Sequence, residues 1–107
     1  LSDGDGWNVL SASCNLGSDF TVPVGKTLKI KKDPTMAGNL VIDRQATSSN
    51  QGRHFLVYGN LNVEGVTLTG GYKGGVDNKG GAVYVGDTGS ATLALISVCV
   101  GVTSPVI

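Results

Sequence analysis

The chain has 107 residues, enough for one hydrophobic core and too few for two domains. Eight basic and eight acidic side chains cancel, which removes the long-range field that draws proteins to nucleic acid or to an anionic membrane. Seventeen glycines against a single glutamate exclude a helical bundle and favour short strands joined by tight turns.

Residues 1–19 read as a polar entry segment. Asp3-Gly-Asp5-Gly resembles the start of a calcium loop, but the distal acidic ligand is missing, so a turn is expected. Phe20 and Val22 then alternate as a strand, Pro23-Val24-Gly25 turns, and Leu28 and Ile30 alternate again. Lys26, Lys29, Lys31 and Lys32 form a basic run whose alternation predicts a solvated face. Val24-Gly-Lys-Thr27 matches only the end of a phosphate loop, since Phe20 stands where its first glycine belongs. Leu40 and Ile42, then Phe55 and Val57, supply further strand pairs. Leu61, Val63, Val66 and Leu68 have gaps of two, three and two, and Leu93, Leu95, Val98 and Val100 repeat them at an offset of 32 residues. Val83 and Val85 precede the second set as Phe55 and Val57 precede the first. A sandwich of hairpins has no reason to reuse a spacing, whereas a solenoid stacks like residues on like. The expected fold is all-β: a parallel β-helix of a few rungs with little or no α-helix, its rungs over 20–100 and a tail over 101–107.

Leu61-Asn-Val-Glu-Gly-Val-Thr-Leu-Thr-Gly-Gly71, followed by Gly80-Gly-Ala-Val-Tyr-Val85, resembles right-handed parallel β-helix proteins of the pectate-lyase-like superfamily. Gly80-Gly-Ala-Val83 is similar to the Gly-Gly-Ala-Ile repeat of polymorphic outer-membrane proteins and of microalgal β-helix proteins, and Val22-Pro-Val-Gly-Lys-Thr-Leu-Lys-Ile30 to an opening rung. The resemblance spans about residues 20–100 and implies fold more than function. The chain departs from it at Ser97-Val-Cys-Val-Gly-Val102, which lacks the family's Phe-x-x-Asn, and it has few rungs.

Enzymes of that superfamily need clustered acidic ligands for calcium or paired carboxylates. Asp3, Asp5, Asp19, Asp33, Asp43, Asp77, Asp87 and Glu64 are scattered, mostly beside turn glycines, where an Asp usually bonds its own backbone. The one histidine, His54, directly precedes a strand and reads as a loop or rung-edge residue, not as a base or zinc ligand. No catalytic residue, metal or cofactor is therefore expected. Cys14 and Cys99 lack metal or redox spacing; Cys99 is expected to pack as a small hydrophobe, and a bridge between the two is disfavoured by their distance along a solenoid.

Thr67-Leu68-Thr69 invites an ice-binding surface, but an offset of 32 sets Cys99 over Thr67 and Gly101 over Thr69, so no second threonine row forms. Tyr58, Tyr72 and Tyr84, with Trp7, are candidate sugar platforms, Tyr58 and Tyr84 being expected to stack in neighbouring rungs, where cross-strand stiffening is the plainer reading. Thr88 to Ile107 carries no charge, yet holds too much Ser, Thr and Gly for a membrane span. It reads as a terminal rung without a polar cap, so Val98, Val100 and Val102 are expected to rest on a protein partner, on a membrane complex or on further rungs. The sequence thus points to a non-catalytic scaffold or linker subunit of a larger assembly. A secreted or cell-surface polysaccharide-binding module is the alternative, with a polysaccharide lyase or hydrolase relative or an ice-binding protein behind it. A secreted, surface or organellar-lumen location is expected ahead of the cytosol.

Overall fold

A computed structural model describes residues 4, 6–47, 49–72 and 81–95, with the backbone of 97–100. Its described residues form strands and turns without a helix: β1 (Trp7–Leu10), β2 (Cys14–Asn15), β3 (Phe20–Val22), β4 (Thr27–Lys32), β5 (Val41–Asp43), β6 (Phe55–Val57), β7 (Asn60–Glu64), β8 (Thr67–Gly71), β9 (Val83–Val85), β10 (Ser90–Ala94) and β11 (Ser97–Val100). They lie in three sheets, ordered β1-β4-β7-β10, β2-β5-β8-β11 and β3-β6-β9. Consecutive strands enter different sheets, every third strand returns to the same one, and each pairing is parallel. Parallel neighbours need a long crossover between them; here the two intervening strands supply it.

The stacking register corrects the offset read from the hydrophobic spacing. Ala91, not Leu93, lies opposite Leu61; Leu93 lies opposite Val63, and Val98 opposite Leu68, an offset of 30 instead of 32. A slip of two residues leaves every side chain on its original face, so apolar alternation cannot detect it. The sheets also begin earlier than the spacing suggests, with β1 on β4 and β2 on β5 inside the expected entry segment.

Side chains of matched register build the core in columns. Leu28 meets Leu61, and Ile30 meets Val63; Ile42 meets Leu68; Phe55 meets Val83. Leu28, Ile30, Ile42, Val57, Val63 and Leu68 are fully buried, and each such side chain contributes roughly 1.5–3 kcal/mol relative to exposure. Phe20 packs edge-on against Phe55, with ring centroids 6.5 Å apart at 64°, the geometry that suits aromatic quadrupoles.

The bends between the third and first sheets stack as well. Pro23 O accepts from Lys26 N at 3.1 Å, with Gly25 at φ +79° in the position where such a turn needs a left-handed residue. Gly59 lies directly over that turn, where a Cβ would sit 2.2 Å from Lys26 O. The next bend follows suit: Gly86 N donates to Val57 O at 2.8 Å and Ser90 N to Gly59 O at 2.8 Å.

Candidate functional site

Where the second sheet gives way to the third, the side chains of Asp19 and Arg44 meet the backbone of Arg53. Asp19, ahead of β3, accepts from Arg44 Nη2 at 2.9 Å, from Arg44 Nε at 3.2 Å and from the Arg53 amide at 3.0 Å. Arg44 Nε also donates to Arg53 O at 2.8 Å, closing the loop between β5 and β6 on itself. Arg44 and Arg53 are both buried, so the carboxylate and the carbonyl replace the water that the Arg44 guanidinium has lost. Gly52 makes room: a Cβ there would fall 2.0 Å from Arg44 Nη2.

His54 follows Arg53 in the bend directly before β6, at the rung edge its neighbours suggest, and is fully buried there. Its Nε2 lies 2.9 Å from Ile42 O, and a carbonyl only accepts, so Nε2 carries the proton. Nδ1 is then a buried acceptor without a hydrogen bond. Burial holds the ring's pKa below its ordinary value, and the Arg44 charge adds a little; the carbonyls of Ile42 and Thr69 and the Asp43 charge oppose both. The ring is neutral and points at the interior, an arrangement suited to holding the corner together.

A second cluster lies on the outer face of the first sheet. Alternation buries Leu28 and Ile30 and turns Lys29 and Lys31 outward. Trp7, in register with Lys29, receives Lys29 Nζ at 5.7 Å and Lys31 Nζ at 5.3 Å from its ring centre, each such contact being worth about 0.5–1 kcal/mol at an exposed site. Beside it an open cavity of about 350 Å³ is lined by Lys31, Lys32, Pro34, Glu64 and Gly65. Lys32 Nζ is tied to Gly38 O. Asp33 holds the adjoining loop through Thr35 N at 2.9 Å and Thr35 Oγ1 at 2.8 Å, and the Thr35 amide, then its hydroxyl, keep that carboxyl below its usual range.

The structure does not assemble the three tyrosines. Tyr84 faces outward on β9 opposite Leu56, not Tyr58, with the Arg53 guanidinium 5.3 Å from its ring centre. Tyr58, exposed at the next bend, lies where a Cβ on Gly86 would strike its ring. Tyr72 bridges Gly52 at a different corner. The expected Tyr58–Tyr84 stack is thus replaced by a cation on one ring and a glycine under the other. Trp7 was visible in sequence, but its lysine partners stand 22 and 24 positions away, and only parallel pairing joins them.

Val98 and Val100 lie in β11 opposite Leu68 and Gly71, and Val102 falls outside the described residues. Ser97 is opposite Thr67 and Cys99 opposite Thr69, while Val41 and Asp43 flank the same threonines on the other side. The corrected register therefore also leaves Thr67-Leu68-Thr69 without a second threonine row. Cys99 keeps a threonine phase, that of Thr69 at the observed offset in place of Thr67 at an offset of 32. Cys14 is free and half-buried; β2 and β11 stand at opposite edges of a four-stranded sheet, about 14 Å apart at normal strand spacing and beyond disulfide reach. Asp33 and Asp43 bond the backbone two residues on, as turn aspartates do. Asp3, Asp5 and Asp77 lie outside the described residues. Among the described residues no three His, Cys, Asp or Glu side chains are grouped to hold a metal ion, and no helix is long and apolar enough to cross a membrane.

Compared with known protein families, with curated proteins and with solved structures, the chain matches none.

Proposed function

We propose that the chain is a right-handed parallel β-helix of the pectate-lyase-like kind that acts as a non-catalytic scaffold or linker, docking through the ends of its stack. One observation carries this reading. Inward apolar side chains of the middle strands are sealed, whereas those packed on the core but left half-buried are, apart from Met36 in the loop between β4 and β5, at the two ends: Leu10, Cys14, Leu16 and Phe20 at one, Val85, Ala91, Leu93 and Leu95 at the other. Open solenoid ends with apolar content favour a cover, and the polar corner at Asp19, Arg44 and His54 is spent on internal bonds. Separating native, unfractionated material by size tests the reading: migration with a larger assembly is expected, and migration as a lone chain contradicts it.

A polysaccharide-binding role is the second reading, favoured by Trp7. Its ring is 37% exposed, braced by two lysines and next to the cavity at Glu64, and flat aromatic faces of this kind suit sugar rings. A glycan screen is expected to show binding that Trp7→Ala abolishes and Tyr72→Ala spares; equal binding by both variants contradicts this reading.

A further inference from the structure

We propose that the buried corner at His54 is an acid-sensitive catch: a second proton on the imidazole opens the clasp between Asp19 and Arg44 and frees residues 14–20 from β5 and β6, while the first sheet stays paired.

The first observation is how much of the corner converges on this one residue. His54 O accepts from Phe20 N at 2.9 Å, His54 N donates to Ala82 O at 2.8 Å, and the ring reaches Ile42 O through Nε2 at 2.9 Å. A movement of the ring is therefore felt at the start of β3, on β5 and at the approach to β9.

The second observation is that the closed corner has no place for another charge. His54 Nδ1 is buried without a hydrogen-bond partner, so a proton there creates a buried cation with an unsatisfied donor. Among the described residues the charged groups around the ring are Asp43 on β5, Arg44 after it, Asp19 ahead of β3 and Arg53 beside the ring, and β6, β8 and β9 bring none. Burial weighs most against the charged ring and Arg44 adds to it, while the carbonyls of Ile42 and Thr69 and the Asp43 charge favour it. Both carboxylates are engaged elsewhere, Asp43 Oδ1 by Gln45 N at 2.9 Å and Asp19 Oδ1 by Arg44 and the Arg53 amide.

The third observation is the direction in which the corner yields. On one side β5 is held by β2, through the two residue pairs Cys14–Ile42 and Asn15–Asp43, followed by single bonds from Leu16 N to Asp43 O at 2.8 Å and from Phe20 N to His54 O. On the other side it pairs with the five-residue β8, which also carries β11. Local opening follows the thinner attachment, so the charged ring reaches water by lifting residues 14–20 together with Asp19. The open form titrates near the ordinary value of 6.5 and the closed form below it, so opening grows as the pH falls, by about tenfold between pH 7 and 5.5. Carboxylates ordinarily titrate about two units lower, which reserves this window for the imidazole.

Native-state hydrogen exchange at low denaturant concentration tests the catch. The amides of Leu16, Phe20 and Arg53, corrected for intrinsic rates, are expected to open about tenfold more at pH 5.5 than at pH 7, and to do so independently of denaturant. Val63, paired on both sides in β7, is expected to exchange more slowly than these and only through the denaturant-sensitive global unfolding. His54→Gln keeps a donor for Ile42 O but takes up no proton, so its acid response at the three amides is expected to vanish. Where that variant does not fold, the imidazole's own NMR titration in the unaltered chain replaces it, with a midpoint that tracks the opening at Phe20. Corner amides that open only together with Val63, an acid response that is missing or that persists in His54→Gln, or a ring that takes its proton with Phe20 still protected, overturns the catch.

Discussion

The middle strands and the two ends share one apolar alternation, yet they carry different loads. Leu28, Ile30, Ile42 and Leu68 have a paired strand on both sides and are fully buried, whereas Leu10, Leu93 and Leu95, equally apolar, remain half-buried. In the first and second sheets burial is conferred by the strand above and the strand below, so a residue's contribution there depends on its depth in the stack as much as on its identity, while Val22 and Val83 are sealed even on the outer strands of the third. Exposed surface is left over at the ends and on the outward phase, where Trp7 stands.

The largest test of this contrast is Leu28→Ala, which empties a site that neighbours on both sides hold rigid. Chemical denaturation is expected to show a loss of about 3–4 kcal/mol, while Leu10→Ala at the end loses about 1 kcal/mol or less. Equal losses would erase the distinction. Next comes the corner that ties the ends to the middle: Arg44→Ala leaves the Asp19 carboxylate without its cation, and because that carboxylate is partly exposed, a loss of about 2 kcal/mol is expected. Gly59→Ala is of similar size, about 2 kcal/mol, since its methyl would meet the Lys26 carbonyl with no room to move. Gln45, a non-glycine residue at φ +59°, gives the smallest effect: Gln45→Gly is expected to gain up to about 1 kcal/mol.

Acid sharpens the contrast in another way. The folded state holds His54 neutral, so below its ordinary pKa of 6.5 the unfolded chain binds the proton first and stability falls with pH. The loss levels off beneath the depressed folded value. Denaturation curves taken from neutral pH downward should show this slope in the natural chain and a flatter one in His54→Leu.

Strand existence and parallel stacking were legible from alternation and repeated spacing, because period-two burial leaves that trace at Leu61, Val63, Leu93 and Leu95. Register was not, since Leu61 over Ala91 and Leu61 over Leu93 satisfy the same faces. β1 and β2 escaped notice because Trp7–Leu10 and Cys14–Asn15 sit at an end, half-buried and too short for a period to show. The Asp19–Arg44 pair and the buried His54 are joined by contacts 12 to 25 residues apart in sequence, and no local pattern encodes those.

Parallel stacking at an offset of 30 residues is tested most directly by cross-linking. In a background of Cys14→Ser and Cys99→Ser, Asn62→Cys with Thr92→Cys places two thiols on adjacent strands in matched register on the outer face, at about 4.8 Å between Cα atoms, within disulfide range. This pair is expected to close readily under mild oxidation, and Asn62→Cys with Ala94→Cys, the partner an offset of 32 requires, is expected to stay reduced. Preferential closure of the second pair, or of neither, would contradict the stacking described.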